Sequence, residues 1–279
     1  MGAIDVWCNL YNEQGLAMYN DPEVKTVVDW WGMHDRIKVV TTEEFLSGLD
    51  EAAIDHVLIP ATRMRSYMHG HMMGYVSYDD LAAIVAEAPE RFHGLAGINP
   101  MERMHGVREL ERGVKELGFV GAHLHIYGFG IPVNDRLLYP FYAKCAELGV
   151  PVMMQIGHSA ESMPSEMGRP IHLDTIALDF PEVNFVAAHT GWPWVEELIA
   201  LAWKHRNVYI ATTAHAPKYW DPKLVDYINT RGGDRVMFGT DYPVLGHQEC
   251  MDQVEELGLR EKSKKRLLRD NAAELFRLS

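Results

Sequence analysis

The stretch "VMFGTDYP" (236–243) runs as an apolar strand, breaks at Gly239 and sets Asp241 just past the break. Tyr242 and Pro243 forbid extension of the strand, so the carboxylate is left at its tip. An acid held there suits proton transfer. Other apolar runs also end in polar groups: Trp7 and Asn9, Arg63 and Arg65, Asn99, His123 and His125, Gln155 and His158, His189, and Thr212 with His215. A polar group buried without a partner costs roughly 2 kcal/mol or more. These residues therefore face a cleft or satisfy one another. His189 and Asp241 suit an acid–base pair. Asn9, Gln155, His123 and His125 can donate hydrogen bonds to a substrate oxyanion, with His158 and His215 as further substrate contacts. Arg63 and Arg65 carry the guanidinium fork that clamps a carboxylate. Trp7 offers a flat apolar surface for a planar ligand, or simply fills volume.

The runs that must position these groups are eight short apolar segments: 3–8, 55–60, 94–98, 119–124, 151–155, 183–188, 207–212 and 235–239. They are apolar throughout, as parallel strands covered on both faces are. Helical patterns separate them, with start signals at Thr41 and Glu44 and at Ser77. Eight strand-then-helix units in 279 residues predict a closed (β/α)8 barrel forming one domain over 1–279. A doubly wound open sheet is the alternative, weakened because no glycine-rich phosphate loop follows any strand. In a barrel, chemistry gathers where the strands end, which is where the polar residues stand. The segment 10–54 is long for one connection and predicts an insertion or lid after strand one.

Two further stretches carry chemistry-bearing residues. "RMRSYMHGHMMGYVSY" (63–78) spells a histidine pair, His69 and His71, but in a loop after the second strand, so it reads as two loop histidines. Its methionines, Met64, Met68, Met72 and Met73, predict an apolar surface, either a lid or a subunit contact. Gly128 and Gly130 predict a tight or mobile loop after strand four.

The net charge of −13 argues against nucleic acid as a partner. No apolar run is long enough to span a bilayer. The start "MGAIDVWCNLYN" lacks a basic secretory leader, and Val6 stands where a myristoylation signal wants Ser or Thr. A cytoplasmic location is expected, with a small molecule as substrate. Three scattered cysteines make no disulfide framework. Cys8 points away from the face shared by Asp5, Trp7 and Asn9, which predicts an inert core cysteine.

"PERFHGLAGINP", "LGFVGAHLH", "LGVPVMMQIG", "NFVAAHTG" and "VMFGTDYP", in this order and spacing, resemble the amidohydrolase-related family of the amidohydrolase superfamily. That branch includes decarboxylases, hydratases and a lactonase, and its fold is a (β/α)8 barrel. In typical members strand one ends in His-x-His and strand five carries a His. These, with the strand-eight Asp, hold a divalent metal, and the Asp or the strand-six His moves protons. This chain has Trp7, Asn9 and Gln155 at the first three positions. Only His189 and Asp241 match. Indole has no lone pair for a metal, and the amides are hard, weak ligands. The resemblance therefore implies a barrel that works without a cofactor. The alternative is one divalent ion such as Zn or Mn at a non-standard site recruiting His158, His123 or His125. Hydrolysis of a small carboxylated cyclic or aromatic ester, lactone or amide is the first expectation, with decarboxylation or hydration as alternatives. A non-catalytic subunit paired with a metal-bearing paralogue is a further one. A homodimer or such a hetero-oligomer is the expected assembly.

Overall fold

The structure, a computed structural model, describes residues 2–278, so the expected domain bounds 1 and 279 lie just outside the described residues. Eight parallel strands form one sheet: β1 (Ala3–Asp5), β2 (Ile54–Pro60), β5 (Phe92–Gly97), β6 (Gly121–Leu124), β7 (Val152–Gln155), β8 (Phe185–Ala188), β9 (Val208–Ala211) and β10 (Val236–Met237). Each pairs in parallel with the next. Residues just beyond the first and last strands close the ring. Val6 N donates to Phe238 O, Asp241 N to Trp7 O and Asn9 N to Tyr242 O, at 3.1, 2.8 and 2.8 Å. The expected (β/α)8 barrel is the fold, and all eight expected strands are present.

Alternation along the strands separates two cores. Ile4, Val6, Trp7, Leu58, Leu95, Met153, Val186 and Met237 fill the barrel's interior. Phe92, Val152, Phe185 and Val208 face outward against helical residues such as Leu81, Leu110 and Leu198. The expected starts hold. Thr41 and Glu44 form a reciprocal capping box on the helix Thr42–Glu51, and Ser77 caps Tyr78–Glu87. Cys8 is fully buried, and burial pushes its thiol well above the usual range, as an inert core cysteine requires.

The segment after β1 folds as the short helix Glu13–Leu16, the turn Ala17–Asn20 and the helix Pro22–Trp31. Asp21 caps the last of these, and Gly32 ends it in the left-handed conformation (φ +60°). A hairpin braces this lid. Its strands, β3 (Arg63–Arg65) and β4 (Met72–Tyr75), pair antiparallel across the tip that carries His69 and His71. His71 Nε2 lies 2.7 Å from Asp21 Oδ2, and Ser66 Oγ donates to Glu23 Oε1 at 2.5 Å. The two histidines are loop residues as expected, in the turn of a hairpin that ties down the lid helix. The methionine surface is also corrected: Met64 and Met73 are buried, because the hairpin packs one face inward, and Met68 is the one that is well exposed.

Candidate active site

A cavity of about 790 Å³, counted to its open mouth, lies at the carboxyl ends of the strands. Its floor is Trp7 and Asn9 after β1, His123 and His125 from β6, Gln155 at the end of β7, His189 after β8, His215 after β9 and Asp241 after β10. His158 and Glu161 form one wall. The lid supplies the roof, with Met18, Tyr19, Val24, Val27, Val28 and Trp31. Nine of the ten expected site residues therefore line one cavity.

The tenth does not. Arg63 is buried beneath the hairpin, where its Nη1 donates to the carbonyls of Ala61 and Thr62 at 3.3 and 3.0 Å and to that of Val76. Its guanidinium lies over the rings of Tyr75 and Tyr78. The expected carboxylate clamp is a structural brace, because three carbonyls at the hairpin's base outcompete the cavity for its donors. Arg65 likewise donates to Gly128 O, at 2.9 Å. Gly128 sits in the tight turn Tyr127–Phe129, and a Cβ there would meet Arg65 O at 1.6 Å. Asn99 caps the turn Pro100–Glu102 instead of facing the cavity.

Asp241 is half-buried, with its open side toward the cavity. Burial raises its carboxyl well above the usual carboxylate range, and the neighbouring Glu161 and Asp5 push the same way. The Asn9 amide opposes the shift, donating from Nδ2 to Asp241 Oδ1 at 2.7 Å. With Oδ1 engaged as an acceptor, the acid proton belongs on Oδ2. Asn9 is itself fixed: Nδ2 also donates to Tyr242 O, and Oδ1 accepts from the Trp7 indole at 3.2 Å.

The histidines are held neutral. Burial, reinforced by His215, pushes His189 down to about 3. His215 falls to about 4 through burial and the neighbouring His158. Burial drives His123 well below its ordinary value and lowers His125 and His158, although Glu161 opposes the last two shifts. Thr213 sets the orientation of His189. Its Oγ1 accepts from the His189 backbone N–H at 3.0 Å and lies 2.9 Å from Nδ1. The hydroxyl has one proton to give, and donating it to Nδ1 places the imidazole proton on Nε2. Both ring nitrogens of His123 and of His125, and Oε1 of Gln155, are buried with no partner among the described residues. Orphaned polar atoms around a cavity are what an incoming ligand satisfies.

Backbone strain marks the same place. Among the described residues, seven other than glycine have positive φ, and four of them are His189 (66°), Thr190 (57°), Ala214 (61°) and Asp241 (60°). Each costs roughly 1–3 kcal/mol and persists where the surroundings over-determine it. Sequence reasoning did not find Tyr19 or Glu161, which come from the lid and from the loop after β7. It also had no signal for this strain.

The amidohydrolase family model matches residues 4–278, and the chain belongs to this family of the amidohydrolase superfamily of enzymes. The gamma-resorcylate decarboxylase of Polaromonas sp. is 28% identical over 258 residues, spanning 72% of this chain and 75% of that protein. An uncharacterised barrel protein from Bordetella bronchiseptica superimposes with a TM-score of 0.83 at 25% identity, covering 100% of this chain and 99% of its own. A dihydroxybenzoic acid decarboxylase from Polaromonas sp., solved with manganese and 2-nitroresorcinol, gives a TM-score of 0.73 at 22% identity, covering 99% and 97%.

That manganese corrects the expectation of a cofactor-free barrel: a related barrel carries a divalent ion. This chain's residues do not fit the ion at the strand ends where the family places its ligands. Trp7 has no lone pair to give. Asn9 turns its N–H toward Asp241, where a ligand would turn a lone pair toward a cation. Burial pushes the Asp241 carboxyl toward its neutral form, which binds metal less well than the carboxylate. Among the described residues no three of His, Cys, Asp and Glu gather as a metal-binding group. The usual metal-ligand histidines are missing. Nor is any helix among the described residues long and apolar enough to cross a membrane.

Proposed function

We propose that the chain is a carbon–carbon lyase that removes carbon dioxide from a small hydroxylated aromatic acid, with Asp241 as proton donor. The observation that carries this reading is an acid at the floor of a cavity walled by five histidines, its Oδ1 held by the Asn9 amide at 2.7 Å and its carboxyl raised by burial. Decarboxylation needs such an acid. Asp241 delivers its proton to the ring carbon that bears the carboxylate. The bond from that carbon to the carboxylate then breaks, its electron pair restores the ring, and carbon dioxide departs. The Asp241 carboxylate left behind is stabilised by the Asn9 amide. His189, with its proton on Nε2, donates to a substrate oxygen as charge builds there. The unpaired nitrogens of His123 and His125 accept from ring hydroxyls, and Trp7 packs against the ring.

Sequence alone favoured hydrolysis. The decarboxylase names carried by relatives in both sequence and fold support the lyase reading over it. A hydrolase would want an activated water, and a carboxyl that burial pushes toward its neutral form is better placed to give a proton than to take one. The test is incubation with hydroxybenzoates in deuterated water. The expected outcome is release of carbon dioxide, with one deuterium on the product ring at the vacated carbon. Ester or lactone cleavage with no carbon dioxide would refute the reading.

A further inference from the structure

A second cavity opens outside the first and shares Trp31, His158, Ala214, His215 and Val244 with it. It adjoins the first cavity through these shared residues and is termed the vestibule. Its rim is aromatic: Trp31, Trp192 and Tyr219 are all exposed. No Lys or Arg lines the inner cavity among the described residues, and Arg36 is the one that lines the vestibule. Its Nε donates to Pro243 O at 3.1 Å, while neither Nη has a partner among the described residues. Pro243 follows Asp241 by two residues, no more than about 7 Å of chain. The guanidinium is therefore moored to the same strand-end loop that carries the proton donor.

An aromatic acid entering this site meets histidines and the carboxyls of Asp241 and Glu161, but no Lys or Arg among the described residues. Burying a lone carboxylate there costs several kcal/mol, roughly. We infer that Arg36 is a carboxylate-binding residue for a dicarboxylic aromatic substrate: it holds one acid group at the mouth while the other, the one to be lost, lies in the cation-free inner cavity. This rests on the lyase reading and deepens it. The retained carboxylate gains two parallel N–H···O bonds from the free edge of the guanidinium. The buried carboxylate has no such partner, and loss of carbon dioxide removes its charge.

The test compares hydroxyisophthalate, with two carboxylates, and salicylate, with one, by calorimetric affinity for the intact protein. The wild type is expected to prefer the dicarboxylate by about tenfold or more. Arg36→Gln is expected to erase most of that preference, and Arg36→Lys to keep part of it. A purely structural tether to Pro243 would weaken both ligands alike and leave their ratio intact, which overturns the inference. So does a wild type with no preference. Should Arg36→Gln fail to fold, Arg36→Lys decides: a ratio equal to that of the wild type counts against the inference, and a reduced one supports it. Binding is read without turnover. An Arg36-dependent preference without carbon dioxide release would remove the lyase reading and leave the anchor standing.

Discussion

At the amino-terminal end of the barrel, Arg269 donates to Gly2 O and to Asp55, both at 2.7 Å. Arg91 donates to Ile54 O and Asp50, and Asn271 donates to Gly233 O and Val236 O. At the opposite end, His123, His125 and Gln155 keep polar atoms unpaired, and four backbone positions sit at positive φ. The first end spends its polar groups on tying the C-terminal helical segment and the loops to the strand starts. The second holds its own in reserve, at a cost in strain and desolvation that the rest of the fold must offset. Stability and chemistry are thus segregated to the two faces, as the barrel architecture allows.

Substitutions at each end should separate the two properties. The largest expected effect is at the open end. Asp241→Asn lowers the turnover of carbon dioxide release by about a thousandfold, without lowering the melting temperature at pH 7. Turnover near that of the wild type would contradict the assigned role. At the closed end, Arg269→Ala removes the donor to Gly2 O and one of the two donors to Asp55, which keeps the Gly2 N–H, and costs roughly 1–2 kcal/mol by denaturant titration. Its kcat is expected to stay within about twofold of the wild-type value.

The pH dependence sharpens the contrast. His189 is depressed to about 3 from an ordinary 6.5, so the unfolded chain takes up its proton first as pH falls. Its contribution is present above pH 6.5 and is lost on the way down, at up to about 1.4 kcal/mol per pH unit. His215, at about 4, adds to this slope. Asp241 is raised, so its contribution has the opposite sign: it is present below the ordinary Asp range and is lost as pH rises. Chemical denaturation between pH 7 and 4 should therefore show the wild type weakening, with a shallower slope in His189→Gln. Asp241→Asn should be more stable than the wild type at pH 7, by a margin that shrinks toward pH 4. The smallest effect belongs to a cap remote from both ends' special features: Thr41→Ala removes the hydroxyl that accepts from the Glu44 N–H and costs about 1 kcal/mol, read as a lowered melting temperature at unchanged kcat.

Most of the barrel was legible in the sequence because its strands are buried on both faces and so read as unbroken apolar runs. The hairpin was not. β3 and β4 are three and four residues long, with a register irregularity at Met64/Arg65, and mix Arg, Met, Gly and Tyr without clean alternation. At the site, residues at strand ends could be read because the barrel dictates where those ends point. Arg63 misled for the same reason in reverse: once past the strand, nothing in the sequence fixes its direction, and the nearby carbonyls of Ala61, Thr62 and Val76 claimed it. Tyr19 and the lid's apolar roof come from an insertion whose docking depends on contacts distant in sequence, such as Ser66 with Glu23 and Arg36 with Pro243.

The central claim is that the Asp241 carboxyl is protonated at neutral pH. Infrared difference spectroscopy of the protein labelled with carbon-13 at Asp side chains, wild type against Asp241→Asn, reads this directly. The account predicts a band of a neutral carboxylic acid at pH 7 that is missing from the variant and titrates away only well above the ordinary Asp range. A difference spectrum showing only ionised carboxylate at pH 7 would contradict it.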